Sequence, residues 1–233
     1  MGKEENGVSS IQIVDDFITK SEVLNDLDVR ASDLLQSNGI IWVEGPSDRV
    51  YIQHWMEIWG GGDLREGIDY QFLYYGGRLL SHYTADESHE ENELISILTT
   101  NRNSAIVIDS DKTSQSKPIN DTKKRIQAEF DKLNLFCWIT KGKEIENYVP
   151  CQAINDKFGC ELGQCGRYEK FPDYIKKIRP NFSNEKVRFA SKLIDHINVD
   201  NSDSILDLKQ QILNLIETVR GWTPDEHSPQ TRD

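Results

Sequence analysis

The sequence predicts an α/β protein: a parallel sheet of about four strands flanked by helices, followed by a small helical region. Three observations lead there. Apolar, β-branched or aromatic runs of strand length recur at residues 40–43, 70–75, 104–108 and 135–139. Each gives way to a glycine-rich or polar turn and then to a stretch with helical spacing. After Pro150 the strand-like runs stop. Repetition of strand, loop and helix is the pattern of a parallel sheet with right-handed crossovers.

Residues 1–27 form a polar tail and a mixed lead-in, with the first ten residues expected to be disordered. Val29, Leu34 and Leu35 space a short amphipathic helix that Asn38-Gly39 ends. The first strand stops at Glu44, which therefore stands at a carboxyl end, the edge where open α/β sheets gather ligands. Gly45 frees the turn, Pro46 suits the first helical position, and Asp48 falls in the first turn. Two carboxylates thus face one point. The helix buries Val50, Tyr51, His54, Trp55 and Ile58 and is stopped by Gly60, Gly61 and Gly62. On that apolar face His54 reads as a satisfied core histidine rather than a ligand.

The second strand ends in Gly76-Gly77-Arg78, which reads equally as an ordinary tight turn or as a backbone nest with an arginine near phosphate. His82 and His89 flank a solvated acidic loop at 84–93, and a helix continues through 94–98. The third strand ends at Asp109-Ser110-Asp111-Lys112. Alternate residues at a strand terminus point the same way, so Asp109 and Asp111 converge while Ser110 turns aside. A helix over 120–132, with Ile126, Phe130 and Leu133 as its stripe, leads to the fourth strand. That strand gives out at Thr140, and Glu144-Ile145-Glu146-Asn147-Tyr148 follows.

Helices are expected at 151–158, 172–178, 185–197 and 205–219. Ile205, Leu208, Ile212, Leu215, Ile216 and Val219 form a clean stripe on the last, suited to core packing or, less readily, to the seam of a homodimer. Lys176, Lys177 and Arg179 make a compact basic cluster along the chain, a solvated face before it is a track for a nucleic-acid backbone. The expected divisions are 1–27, a catalytic domain at 28–150, a helical subdomain at 151–222 and a disordered tail at 223–233.

Composition bounds the function. A chain of 233 residues with 37% hydrophobic residues can bury a core. No apolar run is long enough to span a membrane and no signal-peptide pattern opens the chain, so a cytoplasmic protein with no membrane partner is expected. Cys137, Cys151, Cys160 and Cys165 lack paired spacing and read as reduced thiols. A formal net charge of −12 disfavours nucleic-acid binding unless part of the positive charge is carried as metal. At an effective dielectric near 20, like charges about 5 Å apart cost roughly 3 kcal/mol per pair, so clustered carboxylates call for a counter-ion. Hard oxygen donors on strand ends suit Mg²⁺ or Mn²⁺.

Val43-Glu44-Gly45-Pro46-Ser47-Asp48, the Asp109-Ser110-Asp111 pair and Glu144-Ile145-Glu146-Asn147-Tyr148, in that order, resemble the Toprim domain of the OLD (overcoming lysogenization defect) nucleases. Toprim topoisomerases and primases share the glutamate and the Asp-x-Asp pair, but a topoisomerase is expected to continue with another acidic residue, where Thr113 stands here. The resemblance implies a Rossmann-like Toprim fold and a metal-dependent DNA endonuclease or nickase with two Mg²⁺ or Mn²⁺ ions per site, active in phage defence or DNA processing. It implies Glu44, Asp48, Asp109, Asp111 and Glu146 as metal ligands, Glu144 being the rival to Glu146. It also implies a catalytic lysine, matched here by Lys186; Arg78 and Lys112 are the expected substrate contacts. OLD proteins resemble fusions of such a module to an ATPase. No P-loop pattern occurs, and the chain begins too close to Glu44 to hold one, so an ATPase domain or subunit elsewhere is the expected partner besides DNA.

Two alternatives remain open. Asp109-Ser110-Asp111-Lys112-Thr113 also fits the Asp-x-Asp-x-Thr signature of haloacid-dehalogenase-like phosphatases, with Asp109 as nucleophile. A DNA-binding or assembly module with a structural metal site is the third possibility.

Overall fold

The computed structural model describes residues 37–76, 95, 98–99 and 101–223. The expected helix at 29–36, Arg78, His82, His89, the acidic loop and the two tails lie outside the described residues, as does most of the helix expected at 94–98.

Four parallel strands, β1 (Ile40–Val43), β2 (Gln71–Tyr74), β3 (Ser104–Ile108) and β4 (Phe136–Ile139), form one sheet in the order β2-β1-β3-β4. Among the described residues seven α-helices flank it: α1 (Pro46–Gly60), α2 (Asp121–Lys132), α3 (Cys151–Phe158), α4 (Phe171–Ile175), α5 (Lys186–Leu193), α6 (Val199–Ser202) and α7 (Leu208–Arg220). This is the α/β, Rossmann-like arrangement. Its central strands are apolar but for Ser104 because both faces are covered. Ile41 and Val43 of β1 point into one core with Ala105, Val107 and Trp138, while Ile40 and Trp42 point into the other with Ile106, Ile108, Ile126 and Phe130.

Order along the sheet determines where a ligand can sit. From β1 the chain crosses to β2 on one side and then returns to β3 on the other, so the neighbours β1 and β3 bracket the point where the winding reverses. A crevice opens at the carboxyl ends of such a pair. Glu44 follows β1 and Asp109 follows β3.

The helices end as their residues dictate. Pro46 opens α1, and Gly61, at φ 76°, accepts the left-handed conformation that closes it. Asn120 caps α2 by accepting from Lys123 N–H. Leu133, expected on the apolar stripe of α2, falls just past the helix and is 49% exposed; Ile126 and Phe130 alone carry that contact.

Residues 151–222 do not build a core of their own. Ala153, Ile154, Phe171, Phe182, Phe189 and the α7 stripe share one core with β1 and α1. Helix α7 packs along α1, so its stripe is spent inside the chain rather than on a dimer seam; Leu208, Ile212, Leu215, Ile216 and Val219 are buried there and Ile205 partly so. The end of the described chain folds back on the amino edge of the sheet: a Cβ on Gly39 would meet the Trp222 ring at 2.2 Å, so only glycine fits beneath it. The His54 ring is satisfied by the Ile197 carbonyl at 2.9 Å, and all four cysteines are free. Among the described residues no helix is long and apolar enough to cross a membrane.

Candidate acidic site at the carboxyl edge of the sheet

Asp48 is held by the turn that presents it. Gly45 N–H donates to its Oδ2 at 3.0 Å and Ser47 Oγ to its Oδ1 at 3.2 Å, so the carboxylate is locked back over the start of α1 and is 8% exposed. Burial, then Glu146 and Glu44, push its pKa up to about 7. Burial likewise raises Glu44; Lys186 opposes that, while Asp111 and Glu146 add to it. Asp109 is raised well above the usual carboxylate range by burial and by Asp48, Glu146 and Glu44. Four carboxylates from the ends of β1 and β3, the first turn of α1 and the loop after β4 therefore lie within electrostatic reach of one another in buried surroundings. Mutual repulsion of that kind marks functional clusters.

Glu146 is the extreme case. It sits on the 3-10 turn Ile145–Tyr148, is 1% exposed, and neither carboxylate oxygen receives a well-formed hydrogen bond among the described residues. Its neighbour is the Lys186 ammonium, 3.0 Å from Oε1. Lys186 also lies 3.8 Å from Glu144 Oε2. Burial disfavours the lysine charge, but Glu146, Glu144 and Asp109 more than offset it and hold the pKa above the ordinary lysine value. Lys186 is the first residue of α5, where a cation opposes the helix dipole. Its position there is set by the carboxylates. Glu144 is otherwise engaged, Oε1 accepting from Phe171 N–H at 2.7 Å.

The two residues after Glu146 position it. Asn147 is buried; its amide donates to the carbonyls of Gly166 (2.9 Å) and Glu169 (3.0 Å), and its Oδ1 accepts from Glu144 N–H at 2.8 Å. Tyr148 Oη accepts from Lys141 N–H at 2.7 Å and donates to Asp207 at 2.8 Å. Ser110 turns aside as expected: its N–H donates to Thr140 Oγ1 and its hydroxyl to the Gly142 carbonyl at 2.6 Å, fastening the loop after β3 to that after β4.

Asp111 departs from the alternation expected of it. Strand β3 ends at Ile108, and Asp111 takes a left-handed backbone, φ 53°, so the two-residue rhythm of a strand no longer aims its side chain. Its carboxylate is 69% exposed and is paired with the Lys123 ammonium. It still lies within the electrostatic reach of Glu44. Lys123, 3% exposed, also donates to the Asp109 carbonyl at 2.7 Å. Sequence reading passed over this lysine because a lysine on a polar helix looks solvated; the available signal was its place one turn into α2, directly behind the Asp-x-Asp loop. Tyr51 was read only as core, yet its buried hydroxyl has no hydrogen-bond partner among the described residues and senses Glu146 and Asp48. Lys112 is half-buried beside the cluster, its N–H on Ser110 Oγ at 3.3 Å.

Among the described residues, no group of three or more His, Cys, Asp or Glu side chains stands close enough to hold a metal ion as it is. In donor chemistry the cluster nevertheless suits Mg²⁺ or Mn²⁺: every donor is a hard oxygen, and Glu146, whose Oε1 meets Lys186, keeps a buried Oε2 that receives no hydrogen bond among the described residues. Comparison of the chain with protein-family models, curated proteins and solved structures returned no match.

Proposed function

We propose that this protein is a Mg²⁺- or Mn²⁺-dependent DNA endonuclease or nickase whose active site is the acidic cluster at the β1/β3 switch point, acting with an ATPase domain or subunit. One observation supports this above the others: Glu146, buried and paired with Lys186, sits among carboxylates whose charged forms burial and mutual repulsion disfavour. One lysine does not balance so many buried carboxylates, and a divalent cation would lower that cost. Together with the order of the three motifs, this favours a metal-dependent phosphodiester hydrolase.

In this proposal Glu44, Asp48, Asp109 and Glu146 hold two ions after closing in on them. Bound there, the ions supply Lewis-acid stabilisation of the phosphoryl charge and of the leaving 3′ oxygen. Asp111, paired with Lys123, is a weaker candidate ligand. Lys186 contributes a fixed positive charge opposite Glu146, suited to offset charge that builds up on the phosphate. Asn147 and Tyr148 orient Glu146, and Lys123 fixes the Asp109 backbone. The low-dielectric walls strengthen each of these interactions.

The test is relaxation or linearisation of supercoiled plasmid in Mg²⁺ or Mn²⁺ by the wild-type chain and by Glu44→Ala and Asp109→Ala. Metal-dependent cleavage lost in both variants is the expected result; cleavage unaffected by both removes the site. The phosphatase alternative leaves Glu44, Asp48 and Glu146 without a task, and trapping a phosphoryl group on Asp109 would restore it. Calorimetric Mn²⁺ binding with no cleavage of any DNA, ATPase partner included, favours the binding module.

A further inference from the structure

We propose that the DNA backbone flanking the cut passes over a basic ridge formed by the loops after β3 and β4 and by residues 163–170, centred on Lys141, Lys143 and Arg167. This rests on the nuclease reading of the acidic site and gives that site a substrate path. The ridge cannot be seen along the chain, where these cations are scattered. Tertiary hydrogen bonds assemble it: Asp111 N–H donates to the Lys143 carbonyl (2.9 Å), Lys143 N–H to the Arg167 carbonyl (2.8 Å), and Arg167 Nε to the Lys141 carbonyl (2.7 Å). The Lys143 ammonium reaches back to the Asp111 carbonyl at 3.4 Å. The ridge thus begins at the backbone of the Asp-x-Asp loop.

Charge supports the assignment. The protein as a whole is acidic, at −12, yet residues 110–124 carry Lys112, Lys117, Lys123 and Lys124 against Asp111 and Asp121. Glu144 follows Lys143 directly, but its carboxylate is engaged by Phe171 N–H and lies 3.8 Å from the Lys186 ammonium, and Arg167 and Lys170 have only Glu169 within 166–170. Lys117, Lys141 and Arg167 are exposed, and among the described residues no carboxylate forms an ion pair with any of them or with Lys143. Arg49, Lys209 and Arg220, elsewhere on the surface, are each neutralised by a carboxylate. Arg167 lies over the Tyr168 ring, 5.0 Å from its centroid, which limits the freedom of its guanidinium. Next to the ridge a cleft of about 410 Å³, lined by Asp111, Lys117, Asn120, Asp121, Lys123 and Lys124, adds the unpaired Lys117 near the start of α2, Lys123 and Lys124 being paired with Asp111 and Asp121. A line of unpaired cations bordering a carboxylate cluster suits a chain of phosphates whose reacting member lies in the cluster.

The experiment is fluorescence anisotropy of a fluorescein-labelled duplex in Ca²⁺, with salt titrated and the duplex checked on a gel. Each phosphate contact contributes about 0.9 to the slope of log affinity against log salt. Lys141→Gln/Lys143→Gln/Arg167→Gln should therefore lower that slope by roughly 2.7, while Lys176→Gln/Lys177→Gln leaves it unchanged. Lys117→Gln gives an independent reading, with an expected fall of about 0.9. Calorimetric Mn²⁺ affinity should be the same in all variants. Wild-type slopes in both ridge variants overturn the ridge and leave the nuclease reading standing; a wild-type chain that binds no duplex, single strand or supercoil overturns both.

Discussion

The two edges of the sheet treat polar groups in opposite ways. At the amino edge every buried polar group named here is matched: Trp42 Nε1 donates to Ser104 Oγ at 3.1 Å, Ser104 Oγ to the Leu98 carbonyl at 2.7 Å, and Asn103 Nδ2 to the Asn38 carbonyl at 2.7 Å, with Trp222 closing over Gly39. At the carboxyl edge the Tyr51 hydroxyl has no hydrogen-bond partner among the described residues, Glu146 is buried against the Lys186 ammonium, and four further carboxylates, Glu44, Asp48, Asp109 and Glu144, have raised pKa values. The same strands supply both edges. One is arranged for stability and the other retains a local cost, as sites built to receive a charged ligand do.

The contrast can be broken most forcefully at Glu44. Glu44→Gln should reduce metal-dependent cleavage at least about 100-fold. The same change should leave the melting temperature of the metal-free protein unchanged or higher, because a repelling charge is gone. A variant that loses activity because it unfolds would show the carboxyl edge to be structural after all.

At the amino edge Ser104→Ala strands the Trp42 indole N–H and the Leu98 carbonyl, and should lower stability by about 1–3 kcal/mol in urea denaturation. An unchanged midpoint would mean that the two edges do not differ.

The pH dependence sharpens the comparison. Asp48 has a folded-state pKa of about 7 against an ordinary 3.8, so the folded state binds the proton more tightly. Its stabilising contribution is complete below pH 3.8 and is lost as pH rises through 7. In chelator, the melting temperature should fall across that window, and Asp48→Asn should flatten the fall. A wild-type melting temperature that climbs from pH 4 to 7, with the same slope in Asp48→Asn, would contradict the repulsion.

The smallest effect is expected at Tyr51. Tyr51→Phe removes a buried hydroxyl that satisfies nothing, so stability should change by less than about 1 kcal/mol, in contrast to Ser104→Ala. Calorimetry in Mn²⁺ then reports whether the hydroxyl matters to the occupied site.

Much of this was legible beforehand, for reasons that differ by residue. The strands were readable because both of their faces are buried, which writes continuous apolar runs into the sequence. Glu44 and Asp48 were readable because a strand end, Gly45-Pro46 and a helix start fix their places by local geometry. His54 is the satisfied histidine the pattern implies, hydrogen-bonded to the Ile197 carbonyl, although it is only half-buried. Asp111 was misplaced because its direction depends on the sign of one backbone dihedral. Lys123 was overlooked because its burial depends on the loop after β3 folding over α2.

By itself, then, the sequence determined the α/β class, the four strands, the start and stop of α1 and the candidacy of Glu44, Asp48 and Asp109, since each depends on patterns a few residues long. Only the tertiary structure decided that β1 and β3 are neighbours at the switch point, that Lys186 faces Glu146, that Asp111 pairs with Lys123 and that residues 151–222 share the core of the sheet. These contacts join segments far apart along the chain, and their selection rests on burial and charge compensation, which no local pattern records.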